Sequence, residues 1–470
     1  MNSRLCLLRE GERYSYEKLA ERCGDRDLIK HALRAFREAV EEFAISFAKI
    51  SKRIFGVRIV VDSPPPKVLG THVSAGYWSG VFTYFREGKG VTIVVVPRVK
   101  NYISMMDKID SVLGRVSADF RALLRAVPAS GVGYAIGLHA LRVLGEALHL
   151  AHREPRRYAV KTRSDTGYEV ELAPGPATSI AIYGRTYRAN AELFTALALA
   201  TRSVALGIKR ALQTAEEIRD NLKEVPEAYA FLSSAVSRYK SDIINIVDLF
   251  ISDEVIQASL VLDEFAEDVG KYYYLVRGAK AVETGMAYSP TRGESASFLL
   301  YPSTKLYELY TLAHLVESAT KCDGGTRYLG RLAVEAGQIK AYFNRYPRKL
   351  SRVVVHITRG LTPRPDILVA SDGKVIVVDA KYRRLNGAKP RLLGLGDAER
   401  LAAYILDASR NAELKAVVVA LSKPPDKLLQ KIASSIKGIN GRRIKVEFVE
   451  LDPDGKADDL YGRIVGVPCP

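Results

Sequence analysis

The stretch PDILVASDGKVIVVDAK, residues 365–381, restricts the fold more than any other part of the chain. Asp-Gly between two β-branched, apolar runs is the preferred centre of a two-residue hairpin turn. With Asp372 and Gly373 as that centre, Ser371 faces Lys374, and the ladder carried outward sets Asp366 opposite Asp379. Side chains alternate between faces along a strand, so the two carboxylates share one face, with Cβ atoms about 4.5–5.5 Å apart. Lys381, two residues beyond Asp379, joins them, whereas Ala380 points the other way into packed core. A hairpin with solvated charges is the plainer reading, but strands this apolar are not those of a solvated hairpin. Two like charges across a buried ladder need a cation or a shared proton between them, and a divalent metal such as Mg²⁺, or Mn²⁺, meets that need.

A third acid comes from the run TKLYELYTLAHLVESA, which has helical apolar spacing. Glu308 sits among Tyr307, Leu309 and Tyr310, all of core type; Glu317, nine residues on, is the weaker competitor. Alone, Glu308 would be a solvated helix residue. Beside the hairpin it becomes a candidate for the same acidic site.

The charge balance points to a polyanionic partner. Lys and Arg number 70 and Asp and Glu 53, a net charge of +17. Residues 301–470 hold 29 basic and 18 acidic side chains, so this third of the chain carries most of the excess. Such a balance favours nucleic acid; a soluble thermophile surface is the plainer alternative. Scarce amides and sulfur, with 4 Met and 4 Cys, hint at a hot-living source. No apolar run approaches the ~18–20 residues of a membrane span. The first residues, MNSRLCLLREGERY, have no apolar run with a cleavage site, so no secretory signal is expected. The four cysteines are widely spaced without a Cys-x-x-Cys pair, which argues against zinc, an iron–sulfur cluster and a disulfide framework, and for a reduced, cytoplasmic setting. No Gly-x-x-x-x-Gly-Lys-Ser/Thr occurs, so the chain carries no P-loop of its own. Glu146, His149 and His152 read as a helix surface, and His314 and His356 as structural histidines.

Three regions are expected. Residues 1–188 read as a β-rich, mixed α/β N-terminal adaptor module: a helix over 28–53, a strand in FGVRIVVD ended by Pro64-Pro65-Pro66, strands over 75–97 with REGKG as their turn, helices near 101–127 and 134–153, and strands over 157–188. Residues 189–299 read as a helical middle domain closed by a loop, AYSPTRGESASF. Residues 300–470 read as an α/β domain, a mixed sheet flanked by helices.

Glu308 on a helix, then Pro365-Asp366, then Asp379-Ala380-Lys381, resembles the PD-(D/E)XK nuclease superfamily. LYELYTLAHLVE and VVDAKYR are similar to McrC-type restriction nucleases over about residues 300–425, and VTIVVVPRVKNYISMM more loosely to their N-terminal regions, with Arg98 where Lys is usual. The resemblance implies a Mg²⁺-dependent DNA endonuclease working with an AAA+ GTPase or ATPase motor in a restriction or defence complex. It implies metal ligation by Asp366, Asp379 and the Ala380 carbonyl, with Glu308 as a further ligand or acting through water, and Lys381 as the water-orienting cation. Arg383 and Arg384 are candidate phosphate contacts. In the helix after the catalytic strand, Tyr404 matches the family pattern, whereas Arg400 stands where Gln is usual. Other readings are a non-catalytic nucleic-acid-binding or assembly protein, and a stand-alone repair nuclease or junction resolvase.

Overall fold

Asp25 accepts a hydrogen bond from the Asp27 N–H at 2.8 Å and so caps the long helix expected near residues 28–53. That helix, α2, spans Arg26–Phe55 and ends on Gly56 at φ 66°. The computed structural model describes residues 3–127, 177–182, 185–190, 216–237, 294–347, 364–371, 374–385, 413–426, 443–455 and 457–466, with single positions at 350 and between 399 and 407. The expected helix near 134–153, the strand RVVVHIT, most of the middle domain and most of the helix near 425–437 lie outside these residues.

The described part of the protein is mixed α/β, with several sheets and helices. Its N-terminal part runs β1 (Ser3–Arg9), β2 (Arg13–Ser15), α1 (Tyr16–Cys23), α2, β3 (Lys67–Leu69), β4 (His72–Ser74), β5 (Trp78–Arg86), β6 (Lys89–Val96), α3 (Tyr102–Val116) and α4 (Ala118–Ala126). The expected hairpin is β5–β6, turned at Glu87 and Gly88, both at positive φ. A separate hairpin pairs β7 (Ala177–Ile182) with β8 (Arg185–Asn190).

Three expectations need correction. Of FGVRIVVD, Phe55 ends α2 and Gly56 caps it, and the residues that follow join no ladder among the described residues. Their alternation is real, with Val57, Ile59 and Val61 buried, yet their bonds go elsewhere. The Ile59 N–H donates to Ser51 Oγ at 2.9 Å, and Ser63 O accepts from Trp78 Nε1 at 2.7 Å. Gly76, at φ 69°, lets the chain close here, since a Cβ would stand 2.4 Å from Pro64 O. Secondly, the end of the expected loop AYSPTRGESASF is strand: β9 (Glu294–Pro302) pairs antiparallel with β5, completing a sheet ordered β1-β6-β5-β9. Hydroxyl-rich residues such as Ser295 and Ser297 hid it. Thirdly, Cys6 on β1 and Cys23 ending α1 form a disulfide, and Cys322 is disulfide-bonded as well. The 17-residue separation matches no spacing motif; the fold brings these Cα atoms to 4.9 Å.

The C-terminal part begins without a break. β9 runs into α5 (Ser303–Asp323), which is buried on nearly all sides over its first four turns. A seven-stranded mixed sheet follows in chain order: β10 (Thr326–Gly330), β11 (Ala333–Ala336), β12 (Ile339–Phe343), β13 (Ile367–Ser371), β14 (Lys374–Arg384), β15 (Glu413–Ser422) and β16 (Arg443–Glu450). The pairs up to β13–β14 are antiparallel and the last two parallel. A short helix, α6 (Leu460–Val465), packs on α5. One face of the sheet, through Ile376, Val378 and Ala380, joins the core around α5 and the N-terminal sheet. Leu368, Val377 and Val418 on the other face pack with Leu401. Among the described residues no helix is long and apolar enough to cross a membrane.

Candidate active site

The hairpin register is the one expected. Ser371 pairs with Lys374, and the ladder runs to Ile367–Val378, with Asp366 just ahead of β13 and Asp379 next along β14. The backbone N–H of Ala380 donates to Asp366 Oδ2 at 2.8 Å. Lys381 Nζ stands 3.0 Å from Asp379 Oδ1, both side chains 18% exposed. These groups open into a cleft of about 470 Å³ that Glu308 also lines.

Glu308 is 3% exposed, although it lies on a helix. Burial of an ion on that scale requires partners, and the fold supplies them. Lys305 Nζ, one turn earlier, donates to Glu308 Oε2 at 2.5 Å and to Asn344 Oδ1 at 3.0 Å. Asn344 Nδ2 donates to Glu308 Oε2 at 3.0 Å, and the Asn344 N–H to Asp366 O at 2.9 Å. Asn344 therefore ties the helix acid to the hairpin acid, from a left-handed backbone at φ 46°.

The site is over-rich in negative charge. Burial, and after it the charges of Glu308 and Asp379, hold the Asp366 carboxyl well above the usual carboxylate range. Burial pushes Glu308 up to about 7, against Lys305 and with help from Asp62. Burial works against the Lys305 ammonium too, but Glu308, Asp62 and Asp366 outweigh it and its pKa is raised. Asp62, from the extended segment after α2, is thus a fourth carboxylate at the cleft, which it lines. Among the described residues no three acidic, Cys or His side chains converge into a ready cation cage; Lys305 and the Ala380 amide hold Glu308 and Asp366 instead. By donor chemistry the set still fits a hard divalent cation, being all oxygen and carrying buried excess negative charge.

The remaining expected residues divide. Arg383 and Tyr404 line the cleft. The Tyr404 hydroxyl accepts from the Arg364 N–H at 3.1 Å, and its ring lies 6.3 Å from that of Tyr346. Arg384 does not line the cleft and pairs with the buried Asp452 at 3.1 Å. Arg400 lies outside the described residues. Glu317, the competitor, is held by Lys108 at 2.7 Å and Lys321 at 3.3 Å. His314 is a packed side chain beside Tyr310, with burial and then Lys108 lowering its pKa to about 4. Sequence reasoning missed Lys305, Asn344 and Asp62. The three-residue spacing of Lys305 and Glu308 was visible; Asp62 comes to the cleft only through tertiary structure.

A second buried acid lies beneath the site strand. Glu10, 1% exposed, accepts from Ser79 Oγ at 2.6 Å, from the Arg98 N–H at 3.1 Å, and from Ser303 Oγ. Tyr382 lies on the face of β14 opposite Lys381, and burial, then the Glu10 charge, hold its hydroxyl's pKa well above the usual value. No family model, curated protein or solved structure matches the chain.

Proposed function

We propose that the protein is a metal-dependent DNA endonuclease of the PD-(D/E)XK type, a McrC-like nuclease subunit. The observation that carries this reading is the convergence of Glu308, Asp366, Asp379 and Lys381 on one cleft. Asp366 and Asp379 would hold Mg²⁺ or Mn²⁺, with the Ala380 carbonyl and Glu308 as further ligands by resemblance. The ion, when bound, supplies Lewis-acid stabilisation to a phosphate and acidifies water. Lys381, its ammonium beside Asp379, offsets charge developing on a phosphate oxygen. Glu308, with a pKa near 7, can accept or give a proton at its carboxylate close to neutral pH. Arg383 lines the cleft as a phosphate contact, whereas Arg384 is occupied by Asp452. The net charge of +17 supports DNA as the partner. The want of a P-loop supports dependence on a separate AAA+ GTPase or ATPase, as in a cytoplasmic restriction or defence complex of a hot-living cell. Plasmid nicking with Mg²⁺ and with EDTA, by the wild type and by Lys381→Ala, tests the chemistry. No Mg²⁺-dependent nicking, alone or with the co-purifying motor, would leave a non-catalytic DNA-binding protein.

A further inference from the structure

Four arginines lie on the segments that frame the cleft, and one of them lines it. Arg364, half-buried, lines the cleft two residues ahead of Asp366. Arg58 is exposed on the segment after α2 that also delivers Asp62 to the cleft lining it shares with Arg364. Arg331 is exposed in the β10–β11 turn and packs over Gly56, where a Cβ would stand 3.1 Å from Arg331 Cγ; Arg58 is only two residues along. Arg345 follows Asn344, and burial and then the Arg331 charge lower its pKa. The Phe343 N–H donates to the Leu332 carbonyl and the Asn344 N–H to the Asp366 carbonyl, so Arg331, Arg345 and Arg364 stand on joined segments, and Arg331 in turn sits over the segment that carries Arg58. Arg327, on the adjoining strand, is held by Glu335 at 2.7 Å. No ion pair joins any of the four to a carboxylate among the described residues.

Like charges brought together repel unless an anion lies between them. Guanidinium groups match phosphate oxygens in geometry as well as in charge. Arg331 holds its place at φ 51°, with Leu332 at φ 55° fully buried beneath the turn. The turn is thus anchored by its apolar neighbour, while Arg331 itself stays exposed. The segment carrying Arg58 is pinned by the bonds of Ile59, Ser63 and Pro64. The charges consequently sit on a preformed surface.

We propose that Arg58, Arg331, Arg345 and Arg364 form a phosphate-binding ridge that leads the DNA backbone from the N-terminal segment into the Asp366 cleft. DNA as the polyanion rests on the nuclease reading of that cleft; the ridge itself rests on the arginines.

The test is binding of a short labelled DNA duplex by the full chain in EDTA, followed by anisotropy across ~50–200 mM salt. The triple variant Arg58→Gln/Arg331→Gln/Arg345→Gln is expected to bind more weakly at low salt. Its log–log salt slope should be shallower by about 0.9 for each phosphate no longer neutralised, hence by about 2–3. The matching triple lysine variant should keep most of the slope. A control, Arg34→Gln/Arg37→Gln, removes arginines that already pair with Glu38 and Glu41 and should leave it unchanged. Melting temperatures of all variants establish that they fold. A wild type that binds no duplex, an unchanged slope in the glutamine triple, an equal fall in the control, or a lysine triple that loses slope as glutamine does, each overturns the ridge. Tighter binding to RNA of the same sequence overturns DNA as its partner. Because the measurement contains no metal, failure of Mg²⁺-dependent nicking alone would count against the nuclease reading and leave the ridge standing.

Discussion

The Ala380 N–H donates to Asp366 Oδ2 at 2.8 Å, so the strand bearing one hairpin carboxylate holds the other in place. Asp366→Asn keeps an oxygen for that bond and can take no charge in an over-acidic site. The metal-free melting temperature should therefore hold or rise, by an amount in the cross-strand range of about 0.2–1 kcal/mol. Mg²⁺ should stabilise the wild type by mass action and the variant little, and nicking should be lost. Melts with EDTA and with Mg²⁺ decide it: equal stabilisation of both proteins would put the cation elsewhere.

The metal-free protein should lose stability as pH rises towards neutrality. A carboxyl raised by folding favours the folded state while protonated. Glu308's contribution is thus full below its ordinary value of 4.5 and disappears as pH climbs through about 7. The slope from one such group is at most about 1.4 kcal/mol per pH unit. Denaturant melts in EDTA between these limits should show the decline, and Glu308→Gln should flatten it. A parallel slope in the variant would remove Glu308 as the cause.

The Asn344 side chain bonds Lys305, Glu308 and, at 3.3 Å, the Asp366 carbonyl, all from a left-handed backbone position. Asn344→Gly keeps the backbone at ease but leaves Lys305 and Glu308 each short of a partner, at a cost of about 1–3 kcal/mol. Asn344→Ala should lose about 1–2 kcal/mol more, the expense of a Cβ in that region. If alanine is no worse than glycine in chemical denaturation, the backbone there is not strained.

The Cys6–Cys23 link closes a short loop. Replacing both residues with serine should lower stability by about 2–4 kcal/mol. Thiol titration of the unfolded wild type without reductant should find neither cysteine free; two free thiols at these positions would contradict the bond.

What could be read ahead of the structure was what local rules govern. The Asp-Gly dipeptide at 372–373 predicted the register that holds from Ser371–Lys374 to Ile367–Val378, and Asp366, Asp379 and Lys381 line one cleft. Helix α2 and the β5–β6 hairpin carried ordinary periodicity and turn residues. The misses depended on distance in sequence. Val57, Ile59 and Val61 alternate as a strand does, but no neighbouring strand among the described residues takes up their backbone. The serines of β9 looked like loop because their partner, β5, lies some two hundred residues earlier. The cysteine pair and Asp62 likewise became meaningful only when remote segments met.

That late arrival of β9 has a consequence for biosynthesis. β5 and β6 are made by Val96, yet the far edge of β5 stays open until Glu294–Pro302 has left the ribosome. At ~5–20 residues per second the interval is roughly 10–40 s. Throughout it a nascent chain displays an unpaired strand that includes Val81, Phe82 and Tyr84, an invitation to wrong pairing. Production in a heterologous host should therefore depend on chaperone supply and elongation rate more than the stability of the finished protein would indicate.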